Sequence, residues 1–495
     1  MSVKHKDAVQ IDRADPKFRR YVGVKETAAY LAYDMSQSYH IGEIDRFAMS
    51  IVGVRDTMYE KILTINGVWD VINDLFMGVL VERTRTRWGK FKPYLMFLAI
   101  PGTILSIIYW LLPMILHGEG ITAMQKAVVY LLLQIIMEGV GTFQDIARKG
   151  IMATITPFPY DRSRLITFAN LFSGMLGEKV PGYIFDGLHD AFLNGKLGGP
   201  VHLRSLFMIM GVITTLIAGA GAFWFFCICR ERIQQSVEGP NLRDSFRTVI
   251  RNKPLLMLTL SETLRGLSVG GSKTDYLTDV LKFKSLGTIC GIPSVVINPL
   301  SYAWIPWFRR HFSDKTLYLL GTNCMDIAAV PVFFVGLIKT SKGRVYQRRW
   351  IMAIVLTLYE MVFTVFWGVR SVIPTELYNE SMDYCEWKNG YRGEAMISTA
   401  RSLAAKVSGK ISNVARIRVR RFFGYDPNKY GKGIEQTDSV KFMLFAMWTI
   451  VPAVTTIASV IPMLLYKVSD EERAQMYADL QARRAAMAAE AEQVV

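Results

Sequence analysis

Between Trp69 and Tyr94 the chain reads WDVINDLFMGVLVERTRTRWGKFKPY. Asp70 and Asp74 stand four residues apart with Asn73 beside them. Residues four apart share a helix face, so both carboxylates point the same way. An ionisable group within a membrane segment is costly and is usually paired, hydrated or holding an ion. Two acids and an amide in this pattern read as half of a site for a small cation, sodium or a proton; the plainer alternative is a solvated pair near a helix end. A second group lies at Thr142 and Asp145, three apart, with Arg148 and Lys149 one turn further on. The basic pair either neutralises Asp145 or binds an oxyanion, a carboxylate or sulfonate, through charge-assisted bonds. A third lies at Arg401 and Lys406, two basic residues in one later helical stretch.

The elements that must position these groups are apolar and long. Leu95–Leu116, Leu206–Cys229, Ser285–Phe308 and Phe442–Tyr466 run without a charge, and about 20 residues suffice to cross a bilayer. Ala127–Met137, Thr316–Ile338 with Asp326, and Trp350–Val369 with Glu360 are less pure. About twelve spans are expected. The weakest is the first, about 21–51, which carries Lys25, Glu26, Asp34, His40, Glu43, Asp45 and Arg46. Either it lines a wet cavity or its outer part is a loop. The net charge of +16 lies mostly between apolar spans, as in the turn Arg83–Lys92, which is the bias of cytoplasmic loops rather than of a nucleic-acid surface. The five cysteines show no CxxC and sit in or beside apolar segments, so small core residues are expected rather than disulfides. The six histidines have no metal-ligand spacing. The hydrophilic first 20 residues have no apolar stretch of signal-peptide type. No nucleophile–base or metal motif points to an enzyme, and no cofactor is expected.

WDVIND followed by RTRTRWGKFKPY, together with DYCEWKNGYRGE at Asp383–Glu394, closely resembles the glycoside–pentoside–hexuronide:cation (sodium:galactoside) symporters, melibiose-permease-like members of the major facilitator superfamily. The resemblance covers about Asp34 to Lys406. It implies an all-α membrane protein with about twelve transmembrane helices in two six-helix bundles. It further implies a sugar-binding acid at Asp34, a cation-binding hydroxyl at Thr142, a sugar-binding carboxylate at Asp145, and a lysine near the cation acids at Lys406. Arg162, Glu380, Asp383, Glu386 and Arg392 fall on positions that form an inner gate of salt bridges. Three departures stand out. Leu75 replaces a usual proline, Asn170 replaces an arginine, and Arg148/Lys149 occupy places that are typically aromatic or apolar.

The expected organisation is a cytoplasmic tail (1–20), a first bundle (21–229), a basic linker (230–253), a second bundle (254–466) and a cytoplasmic tail (467–495), in the cell membrane. The implied activity is cation-coupled symport of a sugar or glycoside by alternating access. Arg148, Lys149 and Arg401 tilt the expected substrate toward an anionic sugar such as a hexuronide. The alternatives are a neutral galactoside or pentoside symporter, a lysolipid carrier, or a scaffold or sensor without transport.

Overall fold

The computed structural model describes residues 22–480 and 482, apart from 85, 87, 90, 119, 157–158, 232–249, 251, 342, 390–393 and 467–470. Both expected tails therefore lie wholly or largely outside the described residues, as does most of the linker. The described chain is helical almost throughout. The longer helices are α1 (Val24–Gln37), α2 (Asp56–Arg83), α3 (Lys92–Ile115), α4 (Ala123–Thr154), α5 (Pro159–Phe172), α6 (Val180–Leu193), α7 (Leu203–Ile228), α8 (Lys253–Gly266), α9 (Lys273–Asp279), α10 (Ile292–Ala303), α11 (Asp314–Leu337), α12 (Arg349–Val365), α13 (Trp367–Asn389), α14 (Glu394–Phe422), α15 (Asp438–Trp448) and α16 (Ile450–Leu465). A two-stranded hairpin, Lys339–Thr340 with Gly343–Arg344, joins α11 to α12.

Among the described residues, seven helical stretches are long and apolar enough to cross a membrane: Lys92–Ile115, Ala123–Arg148, Pro200–Ile228, Leu286–Ala303, Asp314–Leu337, Arg349–Lys388 and Asp438–Leu465. Their apolar side chains are not all turned inward. On α3, Phe97, Ile100, Ile104 and Ile108 are exposed at spacings of three and four, a continuous stripe along one face. Val454, Ile457, Ile461 and Leu464 make a similar stripe on α16. Stripes of this size are unfavourable in water and natural against lipid. The remaining helices carry more charge, which they turn toward one another.

The chain divides between Gly239 and Pro240 into two compact units, with Pro427–Ile434 belonging to the first. In the first unit α7 packs on α3 and α1 through small residues. A Cβ on Gly211 would strike the Trp110 ring, one on Gly219 the Thr103 side chain, and one on Gly221 the Ser36 hydroxyl. Close backbone approach through small residues is how helices associate where lipid removes the hydrophobic drive. Two helix starts in this unit are met by side chains. Thr122 and Gln125 form a capping box at α4, and Glu231 accepts from the Phe91 amide at α3, 2.7 Å.

The expected first span is not one helix. It ends at Gln37, and after residues 38–43 the chain re-enters a short helical turn, Ile44–Arg46, and a π-helical turn, Phe47–Val52. The break accommodates polar residues as local pairs: Glu43 with Arg46 at 3.1 Å, both buried, and Asp45 accepting from Tyr59 Oη at 2.9 Å.

The segment Pro427–Ile434 follows α14 in the chain yet is seated in this first unit. Tyr430 Oη hydrogen-bonds His189 Nε2, its ring stacks on the His189 ring, and the Arg46 guanidinium lies 4.3 Å above it.

The second unit has its largest core around aromatic rings. Tyr276 stacks on Trp448 at 5.6 Å and Tyr346 on Phe445 at 5.0 Å. The stretch 254–281 is interrupted: α8 ends at Gly266 and α9 begins at Lys273, with Ser272 capping α9. Its charges are paired inside the unit, Lys273 with Glu360 and Asp275 with Arg420. Outside the spans, Glu435 accepts from Lys282 Nζ and Lys441 Nζ, each at 2.7 Å. Those bonds, Lys282 first, pull its carboxyl down to about 2.

Candidate functional site

Two polar clusters form inside the first unit, one on each side of α4. The first joins α2 to α4. Asp70, Asn73 and Asp74 lie on α2; Asp70 and Asn73 are buried. Thr142, also buried, stands across from them on α4. Asn73 Nδ2 donates to Thr142 Oγ1 at 2.7 Å and to the Glu138 carbonyl at 3.3 Å. A carbonyl only accepts, so the amide orientation is fixed. Thr142 Oγ1 in turn donates to Asp74 Oδ1 at 3.5 Å. Asn73 Oδ1 is left buried with no hydrogen-bond donor. Such an orphaned acceptor costs about 1–3 kcal/mol unless something positive meets it. An amide oxygen, a hydroxyl oxygen and two carboxylates one turn apart are hard oxygen donors, fit for a small cation.

The second cluster joins α1, α4 and the π-helical turn Ser173–Lys179. Arg148 Nη2 forms an ion pair with Asp34 Oδ1, and Ser173 Oγ donates to Asp34 Oδ2 at 2.6 Å. Asp34 is buried, whereas the Arg148 side chain is 37% exposed. Its guanidinium lies 6.0 Å from the centre of the Tyr33 ring, and that ring is itself stacked on Phe225. A guanidinium has five N–H donors, and the bond to Asp34 uses one nitrogen. The others remain for a planar oxyanion. The turn reaches α1 because Gly177 sits against the Met35 carbonyl, where a Cβ would collide.

Arg148 thus pairs with an acid 114 residues away rather than with its neighbour on the same helix. Asp145 is exposed and has no ion pair among the described residues. Lys149 lies on α4, and its side chain is outside what the structure describes.

In the second unit, Arg401 on α14 makes a two-pronged pair with Glu262 on α8, Nε–Oε2 2.8 Å and Nη2–Oε1 2.7 Å, and lies 3.8 Å above the Tyr378 ring. Lys406 is half-buried on the same helix. On α13, Glu380 pairs with Arg473 at 2.7 Å, and Asp383 and Glu386 also have partners. Arg162 lies on α5 of the first unit, and Arg392 falls outside the described residues.

Sequence reasoning did not single out Ser173 or Tyr33 beside Asp34, nor Tyr378 beside Arg401. The signal for Ser173 was present in SGMLGEK, where Ser173, Gly174 and Gly177 are small residues of the kind that permit close helix contact. Glu262 was noted only as part of a polar span.

The fold and clusters define a polytopic membrane protein with polar groups gathered inside helical bundles. A family model described as MFS/sugar transport protein matches residues 23–470, and the chain belongs to that family. It is therefore a transporter and not an enzyme. The symporter YjmB of Bacillus subtilis is 25% identical over 90% of this chain and 91% of its own length. The isoprimeverose transporter of Lactiplantibacillus pentosus is 24% identical over 98% and 94%. The glucuronide carrier protein homolog of Escherichia coli is 23% identical over 88% and 89%.

Proposed function

We propose that this chain is a cation-coupled symporter of an anionic sugar, a hexuronide or its glycoside, in the cell membrane with both termini cytoplasmic. The observation that carries the reading is Arg148: a half-exposed guanidinium anchored by Asp34 through one nitrogen, beside a second acid, Asp145, that holds no ion pair among the described residues. A substrate carboxylate engages the remaining Arg148 donors, while Asp34 and Asp145 accept sugar hydroxyls. Kinship with a relative named for glucuronide supports the substrate class; kinship with one named for isoprimeverose keeps a neutral glycoside as the second reading.

Asp70, Asn73, Asp74 and Thr142 hold the coupling ion, sodium or a proton. The ion meets the orphaned Asn73 oxygen and offsets two carboxylates. Cation and sugar clusters share α4, so ordering one side of that helix favours the other, a coupling that is reciprocal by linkage. Lys406 is the counter-ion when the cation has left, and Arg401 and Lys149 add positive charge for the substrate. Arg162 and Arg392, with Glu380, Asp383 and Glu386, act as an inner gate whose salt bridges form in one state and break in another. Transport proceeds by alternating access about a midplane site. One cation carried with one sugar anion moves no net charge, so accumulation is driven by the concentration gradient of the cation; the membrane potential adds about 2.3 kcal/mol per 100 mV only for each further cation carried.

The test is thermal stabilisation of the purified protein by methyl glucuronide and by methyl glucoside, each with and without sodium. The reading expects a sodium-enhanced shift with the glucuronide that Arg148→Gln removes. A shift with the glucoside alone would overturn the anionic assignment.

A further inference from the structure

A cavity of about 340 Å³ lies inside the first unit among α1, α3, α4 and α7. None of Asp34, Asp70, Asn73, Asp74, Thr142, Asp145 or Arg148 lines it, and neither does any other Asp, Glu, Lys or Arg. Its wall mixes apolar side chains with polar ones, among them Gln37, Gln134, Gln144, Ser106, Thr215 and Trp110. Each glutamine is anchored through its Nε2: Gln37 to the Ala218 carbonyl at 3.1 Å, Gln134 to Tyr130 Oη at 3.3 Å, and Gln144 to the Leu98 carbonyl at 3.0 Å. This leaves three amide oxygens without a protein partner among the described residues. The hydroxyls of Ser106 and Thr215 and the indole N–H of Trp110 likewise have none there.

Polar groups within a membrane bundle do not stay bare, because each unmet group costs free energy. The space holds on the order of ten waters. It also lies at the lower end of small-molecule sites, about 300–1,000 Å³, which admits one monosaccharide ring. The chemistry of the wall selects among ligands. With no carboxylate, ammonium or guanidinium on the wall, the His40 imidazole is all it offers an ion. Two amide oxygens fixed by carbonyl partners on the other side of the amide, the Gln134 amide and two free hydroxyls match a molecule whose own hydroxyls both donate and accept. The Trp110 ring is held by Phe47 at 4.8 Å and by the close approach of Gly211, and its face attracts the weakly positive C–H bonds of a sugar ring.

We propose that this cavity is a second binding site, specific for a neutral monosaccharide or its simple glycoside, separate from the charged cluster around Asp34 and Arg148. It takes uncharged sugar where the Arg148 cluster takes an oxyanion, and the two differ in lining residues and in charge.

The experiment is equilibrium dialysis of radiolabelled methyl β-D-glucoside against the full chain in phospholipid nanodiscs, free of glycoside detergent. Saturable binding to one site is expected in the unaltered chain and in Arg148→Gln. At least a tenfold weakening is expected in Ser106→Leu, which narrows the cavity, and in Gln144→Leu, which removes an acceptor. On the unaltered protein, a photoreactive derivative of the same glucoside should label peptides within 99–110 or 134–144. The proposal is overturned by absence of saturable binding, by loss of binding in Arg148→Gln, or by labelling confined to residues around Asp34 and Ser173. Failure of glucuronide binding with glucoside binding intact would count against the Arg148 reading and leave this one standing.

Discussion

Arg148 shows how much depends on a partner the sequence does not display. On a helix, Asp145 is the obvious acid for it, three residues away. The fold instead brings Asp34 from α1 to pair with it and leaves Asp145 exposed. The pair is asymmetric, with a buried carboxylate and a guanidinium that still reaches open space. Asp34→Asn should therefore lower the unfolding free energy by about 1–3 kcal/mol, the cost of an unmet polar group, read as a fall in melting temperature. Arg148→Gln should weaken glucuronide binding at least tenfold, since a charge-assisted bond is worth about 1.5–3 kcal/mol, while leaving methyl glucoside binding within twofold in the same titration. The Asp70/Asp74 pair was legible from spacing alone, because four residues return to the same face of a helix. What spacing did not reveal was that Asn73 Oδ1 would be buried without a donor, which depends on where Thr142 and Glu138 lie on another helix. Asp74→Asn should abolish any sodium-dependent rise in melting temperature.

At the scale of elements, the periodicity of the purest apolar runs survives well: α3, α7 and the stretch through α15 and α16 lie where their hydropathy puts them. The charged spans were harder to read, because their ends are set by tertiary pairs and not by pattern. Residues 38–43 and 267–272 interrupt helical stretches, and in each case charges at the end of the break find partners, Glu43 with Arg46 and Lys273 with Glu360. The segment Pro427–Ile434 left no mark in hydropathy at all, since its docking rests on one aromatic ring, Tyr430, meeting His189 and Arg46. Tyr430→Ala should release it, and limited trypsin digestion should then cut faster at Lys429 and Lys432 than in the unaltered chain. The Glu435 clamp carries a pH signature. Its carboxyl is lowered to about 2 by Lys282 and Lys441, so the folded state favours the charged form. The stabilisation is fully present above the ordinary glutamate value of 4.5 and is lost as pH falls through about 2. The melting-temperature difference between the unaltered chain and Glu435→Gln should therefore be constant above pH 4.5 and shrink on acidification below it.

For the whole molecule, membership of the sugar-transport family was readable from two long motifs, and the lipid-facing stripes on α3 and α16 give it a physical basis. The substrate class was not readable from the motifs, because it depends on side chains gathered from α1, α4 and the π-helical turn. The clusters proposed for cation and sugar share α4, so the account makes transport, not binding alone, its central claim. The measurement that tests it most directly is uptake of radiolabelled methyl glucuronide into proteoliposomes with an inward sodium gradient, with an inward proton gradient, and with neither. The account predicts accumulation above the outside concentration under one of the two gradients, lost in both Arg148→Gln and Asp74→Asn. Glucuronide entry that never exceeds equilibration under either gradient, or accumulation that survives Asp74→Asn, would contradict it.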